Sequence, residues 1–516
     1  MAITTPRPDD AGPGTAEAGG LPGPGGLRRT LSVWQAVGLS VALMAPSMAA
    51  NINPQGTAGT VGRAVPLAFL LAAIGVLLVA YGFVRLCQYF QHAGSVYAFV
   101  GATLGPRTGL ASGFGLLGTY VFYGVVTSSA TGIFGTAFLQ AVGIWPNPPS
   151  WAPFLLAGVA LLGALALTIA PAKRGTTVLL TVEGLTVLLI LVVSAIVLVR
   201  LVSGSVPAGA PSPDAGLDLS VFTVPPGTET SAVFLGVVFG FLSFAGFEAA
   251  ATLGEEARNP RRDIPRAILG TAVFGGVYFV VVTAIEMMAF GTDEAGVQSF
   301  IASPSLLGDL GSSYIAGWVG DVITLGAAIS AFGSCLACVV GAARLTFAFA
   351  RDTARNPGRA SGLAATTAAG TPALAAIVVT AAMALVQLVC AVFFDAEAFD
   401  TFLWSGTIGT LILLVAYLLT TVGAIRLVFV QRKLAVPRWQ VVIPVLALVV
   451  LGYTIGRNVA PYPAYADGPA FWFPIVAGLW LLVGVVAVLA APALAQRAGA
   501  ALTAAELGGL EAVDSR

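Results

Sequence analysis

The chain has 516 residues, 57% of them hydrophobic and only 9% charged, with 24 Lys and Arg balancing 24 Asp and Glu. A soluble domain carries about 25% charged residues, so this composition, with a mean hydropathy of +0.92, excludes a water-soluble globular protein and points to a bilayer as solvent. The zero net charge leaves no footprint for nucleic acid. One histidine and four scattered cysteines give no basis for a structural metal site, and no cofactor is expected.

Residues 1–30 are rich in Pro, Gly and Ala and read as a disordered cytoplasmic N-terminal tail, not a cleavable signal peptide. Twelve apolar spans follow, at roughly 31–55, 65–89, 107–141, 152–170, 175–203, 231–254, 264–290, 315–350, 372–393, 399–424, 438–458 and 470–493. The runs are continuous, unlike the alternating segments of a barrel. The chain is an all-α integral membrane protein. Cys335 and Cys338 form a CxxC inside an apolar span, where packing is a better reading than redox chemistry. The Lys and Arg residues alternate strongly between the connections. With the N-terminus inside, all but three of the 24 (Arg63, Arg200 and Arg457) fall in cytoplasmic segments. Both termini are therefore expected in the cytoplasm.

Spans 1 and 6 are each interrupted. Span 1 carries Ala45, Pro46 and Ser47 in its middle, and span 6 carries Ser243, Ala245 and Gly246. Proline removes a helical donor and glycine weakens a helix interior. Two such breaks at corresponding places point to an inverted-repeat transporter, although kinks between packed helices would leave the same trace.

The run Phe244-Ala245-Gly246-Phe247-Glu248, then Gly254-Glu255-Glu256-Ala257-Arg258-Asn259-Pro260 and Ile264-Pro265-Arg266, resembles the sixth helix and following loop of the amino acid–polyamine–organocation permeases. Gln91-His92-Ala93-Gly94-Ser95-Val96-Tyr97 resembles the family's loop after helix 2, and Ala343-Arg344-Leu345-Thr346-Phe347-Ala348-Phe349-Ala350-Arg351-Asp352 resembles the end of helix 8. The resemblance covers about residues 31–493. It implies twelve transmembrane helices in a LeuT-like 5+5 inverted repeat plus two C-terminal helices. The corresponding units are a first repeat over 31–203, an extracellular loop over 204–230, a second repeat over 231–424, helices 11 and 12 over 425–493, and a cytoplasmic tail over 494–516. Two departures stand out: Ala45-Pro46-Ser47-Met48 where relatives often carry a glycine-rich break, and Leu242 where some place a tryptophan lid.

The resemblance and the physics suggest one site. Freed N–H groups at Ala45, Pro46, Ser47 and Met48 (proline excepted) would hold a substrate carboxylate. Freed carbonyls at Leu242, Ser243, Phe244, Ala245 and Gly246 would hold its ammonium, with Phe244 as a wall. No acid or base is expected to point into the pocket, which favours small neutral amino acids. Glu248 is an inner-gate candidate. Glu255, Glu256, Arg258, Arg261 and Arg262 read as a solvated charged loop, His92 as loop structure, and Trp404 as packing or vestibule. Glu286 is either a buried partner or solvent-facing near the outer end. Glu183 lies eight residues past Gly175, about 12 Å into the bilayer. An ionised carboxylate there is expensive, so Glu183 is expected to carry a proton, either for coupling or in a structural hydrogen bond to helix 1 or 8.

No nucleophile–base or metal constellation appears, so the protein is not expected to be an enzyme. The leading reading is a plasma-membrane secondary active transporter moving amino acids, with a proton as coupling ion in symport. An amine, polyamine or amino-acid exchanger is the alternative, as is a non-transporting sensor on the same scaffold. The expected partners are a small-molecule substrate, a proton and the lipid bilayer. The sequence does not specify an oligomeric state.

Overall fold

A computed structural model describes residues 32–90, 96–170, 173–253, 257–353, 362–367, 370–460 and 468–500. The N-terminal tail, His92, Glu255, Glu256 and most of the C-terminal tail lie outside the described residues. Ten described stretches are long and apolar enough to cross a membrane, and Thr230–Phe244 is a shorter apolar helix. The protein is thus an all-helical, multi-pass membrane protein with about ten long apolar helices among the described residues.

The first part of the chain runs through α1 (Val33–Met44), α2 (Pro46–Val61), α3 (Val65–Tyr89), α4 (Val96–Leu104), α5 (Pro106–Ala141), α6 (Ala152–Ile169) and α7 (Lys173–Ser203). The second contains α8 (Val233–Phe244), α9 (Pro260–Phe290), α10 (Glu294–Ala302), α11 (Leu306–Tyr314), α12 (Gly317–Asp352), α13 (Ala373–Phe393) and α14 (Ala398–Ile425). The last two are α15 (Val442–Val459) and α16 (Trp472–Ala490). Their ends follow local chemistry. Proline opens α2, α5 and α9 at the first helical positions, where its missing N–H costs nothing. Glu397 and Asp400 close a capping box at the start of α14.

The core is built from helices far apart in the sequence. The broken helices meet as α2 against α8, α3 packs on α9, and α5 packs on α12 and α14. Small residues permit these approaches: a side chain at Gly236 of α8 would run into Thr57 of α2. α15 lies against α3 and α14, and α16 against α5 and α14. The outer faces of α6, α7, α13 and α16 expose Leu155, Leu162, Leu188, Leu385 and Leu482. Such faces would drive aggregation in water but are solvated by lipid tails. Exposed Trp34, Trp318, Trp439 and Trp472 stand at or near the first turns of α1, α12, α15 and α16, as an interfacial belt requires.

Three short helices depart from the sequence reading. α4 occupies part of the stretch read as a loop after the second span, and α10 and α11 fill the acidic connection after the seventh. Each is too short for a bilayer-length pattern to detect. The cap was visible in principle: the Asp293 carboxylate accepts the Gly296 N–H at 2.9 Å, with Glu294 in the first turn of α10.

Candidate substrate site

The first break is a single residue. Ala45 adopts the left-handed conformation at φ 47°, fully buried, between α1 and α2. That geometry costs a non-glycine residue about 1–2 kcal/mol. It turns Pro46 into the first residue of a new helix instead of the mid-helix proline suggested by the sequence. The backbone groups released there are matched by side chains from distant spans. The Ser47 N–H donates to Glu183 Oε1 on α7 at 3.0 Å, and the Met48 N–H donates to Ser330 Oγ on α12 at 3.3 Å. One turn along α12, the Ser334 hydroxyl donates to the Leu43 carbonyl at 3.2 Å. Tyr278 of α9 donates to the Pro46 carbonyl at 3.3 Å. In this arrangement the Ser47 and Met48 donors are therefore engaged by Glu183 and Ser330. A carboxylate does sit at the helix N-terminus, where the dipole favours one, but it belongs to Glu183.

The second break is longer. α8 ends at Phe244, four turn residues follow, and a 3-10 turn covers Ala249–Leu253. Gly246 makes the bend at φ 107°, and a Cβ there would lie 2.8 Å from Leu43 Cβ and 3.1 Å from the Leu43 carbonyl carbon. Both the conformation and the contact require glycine. The two breaks therefore touch through Gly246 and the end of α1. The Gly246 N–H donates to Glu248 Oε2 at 3.2 Å, and the Ala250 N–H to Ser40 Oγ at 2.9 Å.

Between the breaks lies a cavity of about 70 Å³, reached by residues of the first, second, third, sixth, eighth and tenth spans and of α4. Met48, Leu242, Ala245 and Gly246 line it, with Tyr120 and Tyr123 of α5. Of the other expected site residues, Ala45, Pro46, Ser47, Ser243 and Phe244 are not in its wall. Ser243 Oγ accepts from Asn53 Nδ2 at 2.7 Å and donates to the Phe239 carbonyl. Phe244 is fully buried, edge-on to Phe279 at 5.3 Å. The expectation of a pocket without acid or base is corrected, because Glu248 lines the cavity. Glu248 is the last of the four turn residues after Phe244, so it does not continue the helical register of α8.

One side of the cavity is sealed. Leu242 packs on Gly406, and Phe239 packs on Gly56. Gln55 donates to the Phe300 carbonyl at 3.0 Å, while Asn51 Oδ1 accepts the Leu307 N–H and the Ser305 hydroxyl at 2.9 Å each. These bonds pin α10 and α11 onto α2. The sequence reading missed both amides; three amides within five residues of an apolar span, Asn51, Asn53 and Gln55, were the available signal. Trp404 sits edge-on to Phe394 at 6.1 Å and near Phe473, in keeping with packing. Cys335 and Cys338 are buried free thiols in α12, and Cys338 reaches the cavity wall.

A multi-pass helical protein with two interrupted helices around one buried cavity has the architecture of a membrane transporter. The chain belongs to the amino acid permease family, which it matches over residues 34–491, a family of transporters and not of enzymes. It is 26% identical over 332 residues to the low-affinity putrescine importer PlaP of Escherichia coli (strain K12), covering 63% of this chain and 68% of that one. It is 26% identical over 295 residues to the branched-chain amino acid permease BcaP of Bacillus subtilis (strain 168), covering 57% and 61%. Human cationic amino acid transporter 4 is 26% identical over 344 residues, covering 63% of this chain and 50% of its own length.

Proposed function

We propose that the protein is a proton-coupled secondary active transporter that carries amino acids across the plasma membrane by alternating access. Its architecture would be twelve spans, with 31–203 and 231–424 as inverted repeats, 425–493 as two added helices, and both termini cytoplasmic. The pairing of α2 with α8, α3 with α9 and α5 with α12 supports that symmetry. The observation that carries the reading is the convergence of both broken helices on one cavity through Met48, Leu242, Ala245 and Gly246. In the orientation given by the basic residues, the sealed side at Phe239, Gly56, α10 and α11 is extracellular. Glu183 is the proposed coupling acid. Protonation would weaken its hold as an anionic cap on Ser47, freeing the N–H donors of α2 for a substrate carboxylate.

A second reading is favoured by Glu248. A cavity with an acidic wall and no Lys, Arg or His among the described residues that line it suits an organic amine, whose ammonium needs a counter-charge and whose missing carboxylate needs no donors. Proteoliposome uptake of a radiolabelled panel of neutral amino acids, cationic amino acids and diamines, with and without a pH gradient, tests both. Accumulation of a neutral amino acid driven by the gradient supports the first reading. Gradient-insensitive exchange of amines alone supports the second, and no uptake of either class overturns both.

A further inference from the structure

Glu286 on α9 takes no part in the cavity or in the cap at the first break. Its side chain is completely buried, and neither carboxyl oxygen has a hydrogen-bond partner. The neighbouring elements supply no counter-ion. α1, α2 and α8 carry no ionisable side chain. On α7 the relevant groups are Glu183 and Arg200, on α10 Glu294, and on α11 Asp309 and Tyr314; none of them hydrogen-bonds to Glu286. On α3, Tyr81 and Arg85 are engaged with Gln440. An anion isolated in such a medium is too costly to hold, whereas a neutral carboxylic acid is not.

Eight residues earlier on the same helix, about 12 Å along its axis, stands Tyr278. It bonds the Pro46 carbonyl, next to the Ser47 N–H held by Glu183. Ser47 Oγ and Glu183 Oε2 likewise lack partners. Buried polar atoms without partners thus occur both at Glu286 and around the first break, at Ser47 and Glu183. Both α10 and α11 pack on α9, and Gln55 and Asn51 tie them to α2. We propose that Glu286 is a second proton-binding site, a carboxylic acid sealed beneath α10 and α11, which passes its proton to water when this cap lifts from α2. The exchange is a plain acid dissociation: the carboxyl O–H breaks, the carboxylate keeps the electron pair, and water becomes hydronium. This rests on the proton-coupled reading above.

The test uses the full chain in lipid nanodiscs and infrared difference spectra across a pH step. A protonated-carboxyl C=O band is expected that Glu286→Gln removes and Glu183→Gln leaves partly in place. In liposomes, Glu286→Gln is expected to flatten the pH profile of uptake. Superimposable wild-type and Glu286→Gln spectra would overturn the proposal, as would an unchanged pH profile. So would failure of the variant to insert, because an amide of the same shape should replace a neutral acid without loss of fold. If Glu183→Gln retains gradient-driven accumulation while the Glu286 band is present, the Glu183 coupling reading fails and the Glu286 site stands.

Discussion

The two helix breaks serve a similar geometric purpose by different means. The break at Ala45 is one residue long and held from outside: Glu183, Ser330 and Ser334 each bond a backbone group released there, and Tyr278 bonds the Pro46 carbonyl in the first turn of α2. The break after Phe244 is held mostly from within, by Gly246 and turn hydrogen bonds, with Glu248 bonding back to Gly246. A break whose polar groups are satisfied by distant side chains can be switched by changing those side chains' charge or position. A break satisfied by its own turn is a fixed surface. The contrast suggests that the first break responds to protons and the second shapes the cavity.

The strongest way to break this comparison is at Gly246. Gly246→Leu adds a side chain against the Leu43–Met44 backbone at a positive φ. Strain of about 1–2 kcal/mol and overpacking of about 1–3 kcal/mol should abolish uptake and lower the unfolding temperature in detergent. Gly38→Leu on α1, where a Cβ meets nothing within 4 Å, should keep both. Equal behaviour of the two variants would remove Gly246 as the contact between the breaks.

Next in size is Glu183→Gln, which should lose pH-gradient-driven accumulation yet retain exchange of internal for external substrate. Accumulation with its pH dependence intact would show that the first break is not proton-switched. Glu248→Gln sharpens the other side. If the second reading holds, amine uptake should fall by about tenfold or more, as expected for loss of a buried charge partner, while neutral amino acid uptake changes little. A smaller effect is expected for Ser334→Ala. It leaves the Leu43 carbonyl unpaired and should cost about 1 kcal/mol of stability, with no change in pH dependence; a flattened profile would mean that the serine belongs to the proton switch.

The smallest effect concerns two acids outside the spans. Hydrogen bonds from Thr292 and Ser220 hold the Asp218 carboxyl below its ordinary value, whereas burial raises that of Asp309 despite its bond from Ser303. Asp218 therefore contributes stability that is present above the ordinary carboxylate range and lost as pH falls through its lowered value. Asp309 has the opposite sign: its folded form binds the proton more tightly, so its contribution is fully present below the ordinary carboxylate value and declines as pH rises through the raised one. Thermal unfolding of Asp218→Asn and Asp309→Asn across the acidic range should show opposite slopes relative to wild type. Parallel slopes would rule out this assignment.

What the sequence determined by itself was the lipid-solvated helical class, the position of the apolar spans and the location of both breaks. Hydrophobic runs and proline or glycine act locally, through solvent transfer and backbone geometry, and need no partner to be read. Glu183 was also visible, as an acid eight residues into an apolar span. Only the tertiary structure decided what it does to the break, because Ser47 is 136 residues away in sequence. The same holds for Ser330 and Ser334, for Gly246 against Leu43, and for Asn51 and Gln55 beneath α10 and α11. Each is a polar or small residue whose meaning lies in the group opposite it. Released backbone donors and acceptors must be satisfied wherever the chain breaks, and in a folded bundle the side chain that satisfies them is chosen by packing, not by sequence distance.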